Sequence, residues 1–144
     1  MANNLADFLA SELLDHVLKD ADYTPPTTLG LALYSTPTND STGGTELAAT
    51  FAYARLEIEH ATGRTFAVAA GGFTDNDQEW AFEAADGGAW SEAVAMKIHD
   101  AITHSGSTVG GGNPLFHGPL TTPKTAGDGD VIRFPAASLV VGLL

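Results

Sequence analysis

Cysteine is absent from the 144-residue chain, so disulfides and thiolate metal sites are excluded and stability must come from packing or assembly. Basic side chains are scarce, with 6 Lys and Arg against 18 Asp and Glu, a formal net charge of −12. Six scattered cations cannot form the basic stripe that displaces counterions from a duplex, so nucleic acid is not expected as a partner. Acid spread along the chain repels anionic surfaces and favours solubility at high concentration. No apolar run approaches the roughly 20 residues that cross a bilayer, and no basic region precedes an apolar stretch at the start. Neither a membrane anchor nor a secretory signal is expected. Repeats of about 20–50 residues and heptad runs are missing too, so the chain holds no elongated shaft of its own.

What remains is apolar and lightly charged. Hydrophobic residues make up 44% and charged ones 17%, too apolar for a disordered chain. Much of the surface must then be Ala, Gly, Thr and Ser, or be covered by a partner. The length predicts a single domain, residues 1–144.

Residues 4–19 carry the one strong helical pattern, with Leu5, Phe8, Leu9, Leu13, His16 and Val17 at three- and four-residue spacing and Leu14 and Leu18 widening that face. Asn4 is the expected N-cap, Asp7 lies in the first turn and Lys19 near the end, in keeping with the helix dipole. Pro25 and Pro26 stop the helix, and the period changes from 3.6 to 2.

A β domain over residues 27–144 follows. Residues 27–34 alternate with Leu29, Leu31 and Leu33 on one face and Gly30, Ala32 and Tyr34 on the other, so both faces are expected to be covered. Residues 53–60 place Leu56 and Ile58 inward and Arg55, Glu57 and Glu59 outward. Further strands are expected at 64–70, 78–84, 89–101, 114–121, 130–135 and 139–144, although the Ala-rich 89–101 stretch also suits a helix. Polar loops fall at 35–44 and 105–113. About eight short strands with Gly, Pro and Asp turns predict a mainly β fold, a β-sandwich or jelly-roll-like barrel with one N-terminal amphipathic α-helix.

Chemical constellations are weak. His16, His60, His99, His104 and His117 lack the spacing of a three-ligand zinc site, so structural or surface roles are expected. Asp75, Asn76, Asp77 and Glu79, and Asp128 with Asp130, are oxygen-rich enough for calcium but read better as turns. Residues 105–112 lack the Gly-Lys-Ser/Thr ending of a phosphate loop. No nucleophile elbow or triad spacing occurs, so no catalytic residue, metal or cofactor is assigned and the chain is not expected to be an enzyme. Trp80, Trp90, Phe82, Phe116 and Phe134 alternate within strands, which favours core packing over a sugar-stacking platform.

Two stretches are more specific. The opening, from Asn4-Leu5-Ala6-Asp7-Phe8-Leu9 through Leu13-Leu14-Asp15-His16-Val17 to Tyr23-Thr24-Pro25-Pro26, and the closing Leu115-Phe116-His117-Gly118-Pro119-Leu120-Thr121-Thr122-Pro123-Lys124 with Gly127-Asp128, resemble a family of small tailed-phage proteins usually labelled "phage tail fiber protein". Gly43-Gly44-Thr45-Glu46 and Tyr53-Ala54-Arg55 fit the same pattern, whereas the segment from Trp90 to Ala101 departs from it. The resemblance implies a structural virion protein, assembled in the host cytoplasm, with phage structural proteins as partners.

Because a fibre needs a shaft, the first expectation is a capsid decoration, or cement, protein bound between major capsid subunits as a homo-oligomer, trimer or dimer. The alternative is a small tail-fibre or baseplate component contributing to host-surface binding, with Trp90 and the polar loops exposed. Partner contacts are expected at Leu5, Phe8 and Leu9 of the helix, Asn39 and Asp40 of the first loop, and Thr108 and Val109 of the second.

Overall fold

A computed structural model describes residues 4–59, 64–102 and 111–143. Its centre is a five-stranded antiparallel sheet in the order β1-β7-β6-β2-β3, formed by β1 (Asn4–Leu5), β2 (Thr28–Tyr34), β3 (Leu56–Glu59), β6 (Trp90–His99) and β7 (Pro114–Ala126). Two short ribbons complete the strands: β4 (Phe73–Asp75) pairs with β9 (Val140–Gly142), and β5 (Trp80–Ala81) with β8 (Arg133–Phe134). The arrangement is mainly β and sandwich-like, with helix α1 (Asp7–Lys19) at the N-terminal end.

The core follows from the period-2 pattern. Leu31 lies between Ile98 and Leu56, and Leu33 opposite Met96, so one face of β2, β3 and β6 is continuously aliphatic. Trp80, Phe82, Ile132, Phe134, Leu139 and Val141, from the ribbons and the segments between them, close over that face. Several of the rings meet edge-on, as at Tyr53 and Trp90, whose centroids are 5.3 Å apart at 81°, an arrangement the ring quadrupoles favour, while Tyr53 and Phe82 stack at 14°.

The opposite face of β2 and β6 is covered as well. Ala32, Tyr34 and Ala95 form a small second cluster there, beside buried Lys97 and His99. Central strands covered on both sides explain why β2 reads as nearly continuous apolar sequence. Gly30 is required by this crowding, since a Cβ there would lie 2.4 Å from the Ala101 carbonyl oxygen.

Several boundaries differ from expectation. The helix starts at Asp7, and Asn4 is not its cap: Asn4 and Leu5 pair with His117 and Phe116 of β7. Ala6 is the N-cap residue and makes no side-chain cap bond. Tertiary acceptors replace the cap, because the Ala6 N–H donates to Leu115 O and the Asp7 N–H to Asp40 O, each at 2.9 Å.

Residues 64–70 do not form a regular strand. They bridge at Phe66–Asn76 and Ala70–Phe73, and the chain reverses through Gly71 and Gly72, both at positive φ. Residues 89–101 resolve as strand, not helix, and β7 runs through Ala126, five residues past the expected end. Among the described residues β1 pairs only with Phe116 and His117, and Pro119 and Pro123 fall outside that ladder.

Candidate interaction surfaces

Helix α1 rests on the body through its N-terminal half. Leu9 is buried at 6% exposure and Phe8 and Leu13 are half-buried, whereas Leu14, Val17 and Leu18 are 59%, 74% and 75% exposed. With about 100° between successive residues, Leu14 and Leu18 lie roughly 140° and 180° round from Leu9, while Val17, about 80° round, is on the flank past the supported half. One sequence pattern thus makes two apolar faces, one spent on the sheet and one in solvent. Lys19, the only Lys or Arg on the helix, is paired to Asp15 at 2.7 Å, and Asp20 and Asp22 follow directly. The helix ends with Asp20 at φ 57, and His16 Nδ1 lies 2.9 Å from Ala21 O at the turn. His16 is therefore a solvent-exposed terminus residue and not part of the packed face.

The second surface is polar and built on the sheet's other side. Asn4, His117, Lys97 and Ala32 stand opposite one another on β1, β7, β6 and β2, a single row across four strands. The polar loop over residues 35–44 is fastened above this row. Lys97, at 1% exposure, donates from Nζ to Ser41 O at 2.6 Å and lies 5.5 Å from the centre of the Tyr34 ring. Asn39 Oδ1 accepts from the Ser41 and Gly43 N–H groups, Thr36 Oγ1 accepts from the Thr45 N–H, and Asp40 O holds the helix start.

Between this loop, β1 and the C-terminal strand lies an open groove of about 540 Å³ lined by Asn4, Leu5, Thr38, Asn39, Asp40, His117 and Leu143. It unites three of the expected contact residues, Leu5, Asn39 and Asp40. Thr108 and Val109 lie outside the described residues. Leu9 faces the core, so the outward apolar positions of the helix are Leu14, Val17 and Leu18, which the sequence pattern had assigned to the same face. A second exposed apolar patch occupies the hairpin at Val68 and Phe73, with Leu143 beside it.

Charged groups on the covered face are electrostatically tuned. Tyr34 Oη lies 3.0 Å from His99 Nε2, and His99 is 2% exposed. Burial, then the cations of Arg55 and Lys97, pull the His99 pKa down to about 3, against smaller opposing effects of the Gly112 backbone and Asp100. His117 is lowered by burial and by Lys97, opposed by Asp40 and Asp7, and Lys97 itself is lowered by burial. Tyr34 is raised by burial and by the Glu46 charge.

Arg55, expected on the wet face, is instead buried at 5% exposure. Its Nε and Nη2 each donate to a Glu46 carboxylate oxygen at 2.8 Å, and Nη1 donates to Ala101 O and Gly111 O. Burial by itself would lower its pKa, but Glu46 more than reverses this. A planar fork with five donors satisfies partners on three segments at once, which explains why an arginine occupies an otherwise inward position. Alternation identifies its side of the strand but says nothing about a carboxylate nine residues away.

The acidic turns are tied into the fold by hydrogen bonds. Asn76 is fully buried: Nδ2 donates to the carbonyls of Gln78 (2.7 Å), Phe134 (3.3 Å) and Pro135 (2.8 Å), while Oδ1 accepts from the Ser138 and Leu139 N–H groups. Asp77 accepts from Thr65 Oγ1, Asp128 from the Gly87 N–H and Asp130 from the Gly127 N–H. Among the described residues, no three His, Asp or Glu side chains gather as metal ligands would. Trp80, Phe82, Trp90 and Phe134 are buried, and Trp90 Nε1 donates to Phe51 O at 2.8 Å, so Trp90 is not the exposed contact that a glycan platform requires. No described helix is long and apolar enough to cross a membrane.

A family model described as "Podophage GP4 fiber I protein gp80" matches residues 4–142, which spans both surfaces and the whole of the core. No curated protein matches the chain.

Proposed function

Since the chain belongs to the podophage GP4 fiber I protein family, we propose that it is a small non-enzymatic tail-fibre or baseplate subunit, held in the virion by other tail proteins. Family membership makes it a phage fibre-type structural protein of the virion and favours the tail alternative over capsid cement. The observation that carries the finer reading is the combination of that membership with a body whose described residues form no shaft. The longest described elements, α1 and β7, have 13 residues each, and β7 is folded into the central sheet. A body of this size is suited to attachment to longer subunits.

The test is copy number and position in purified particles, by quantitative mass spectrometry against the major capsid protein and by electron microscopy of a tagged chain. A few to a few dozen copies located at the tail are expected. Hundreds of copies, comparable with the shell subunit, would return the protein to the head surface.

A further inference from the structure

Leu14 and Leu18, on the side of α1 turned from Leu9, and Val17 on the flank between them and the packed face, project at 59–75% exposure, beyond the part of the helix that the body supports. Large apolar side chains of a soluble protein are seldom grouped in this way without a partner. We propose that this stripe is the chain's attachment surface and that it docks into a concave apolar groove, rimmed by Lys or Arg, on a different virion protein. The inference rests on the structural-subunit reading above and names the surface and partner chemistry for it.

Two observations select that occupant over a second copy. The first is area. Three side chains facing three others fall far short of the roughly 800 Å² per partner that a stable interface buries, whereas a groove wrapping the helix also covers its flanks. The second is charge. Next to the stripe, at the C-terminal end of the helix and just past it, stand Asp15, Asp20 and Asp22, with Asp7 and Glu12 elsewhere on α1, and Lys19 is already paired to Asp15. The chain as a whole carries −12. Two such helices would bring acid against acid, and an anionic membrane would be repelled for the same reason. A basic rim is what complements this edge.

The test uses the full chain, supplied in trans to phage lacking it, as wild type and as the double variant Leu14→Gln, Leu18→Gln. Both positions are solvent-exposed and Gln is a good helix former, so circular dichroism and the urea midpoint should not change. Copies per particle are expected to fall about tenfold or more, as when two apolar anchors are removed from an interface. In parallel, a photo-reactive side chain in place of Val17 should cross-link to another virion protein at an apolar site bordered by Lys or Arg.

Normal incorporation of the folded variant would overturn the proposal, as would cross-links only to other copies of this chain or to phospholipid. Wild-type copies on the head, with variant incorporation still lost, would remove the tail reading and leave the docking surface standing. Wild-type copies on the tail with normal variant incorporation would do the reverse.

Discussion

Replacing His99 by Gln should flatten the acid dependence of stability, and the size of the change follows from the site. In the folded chain His99 is 2% exposed, bonded to Tyr34 and close to the cations of Arg55 and Lys97, with its pKa down at about 3. In the unfolded chain it titrates near 6.5. The folded pKa is depressed, so below pH 6.5 the unfolded state binds a proton that the folded state does not. Stability therefore falls as pH drops, by about 1.4 kcal/mol per unit, until folded His99 itself protonates near pH 3.

Between pH 7 and pH 5 this amounts to about 2 kcal/mol, a large share of the roughly 5–15 kcal/mol that stabilises a typical domain. Gln at position 99 retains an oxygen to accept from Tyr34 and has no proton to take up. The assay is urea unfolding followed by fluorescence of the buried Trp80 and Trp90 at both pH values. Wild type should lose about 2 kcal/mol more than the variant over that interval, with His117 and the carboxylates contributing equally to both. Equal losses would mean that His99 is solvated or charged in the folded state, and the burial argument would be wrong.

Two further substitutions test the covered face and the ribbons. Glu46→Gln leaves the buried Arg55 cation facing a neutral amide and should cost about 3–5 kcal/mol in denaturant unfolding; adding Arg55→Met should restore part of that loss, and a double-mutant cycle measures the coupling. Asn76→Asp keeps an acceptor for the Ser138 and Leu139 N–H groups but turns an oxygen towards three carbonyls, so a loss of about 3 kcal/mol or more is expected at neutral pH, read as a fall in the urea midpoint. Little change in either case would show that these groups are solvated in solution.

The alternation in β2, β3 and β6 was legible in the chain because side chains in a strand change faces at every residue. Leu31, Leu33, Leu56, Ile58, Met96 and Ile98 identify their own inner face without reference to partners. The absence of cysteine and the excess of acid likewise bounded the chemistry before any fold was known. The helix could be recognised, but not its start, since the Leu115 and Asp40 carbonyls that receive its first N–H groups are distant in sequence.

Tertiary structure alone decided which side of α1 is covered. Leu9 and Leu14 are equally apolar, and only the position of β7 separates the packed one from the exposed one. It likewise buried Arg55 and Lys97, whose charges suggest solvent but whose partners are the Ser41 carbonyl, on a loop that folds back over the sheet, and the Glu46 carboxylate, just past that loop where the chain bridges to Tyr34. Periodicity reports the face a residue shares with its neighbours in the chain. What lies opposite that face depends on contacts between distant segments, and these produce the two-faced helix and the fastened loop.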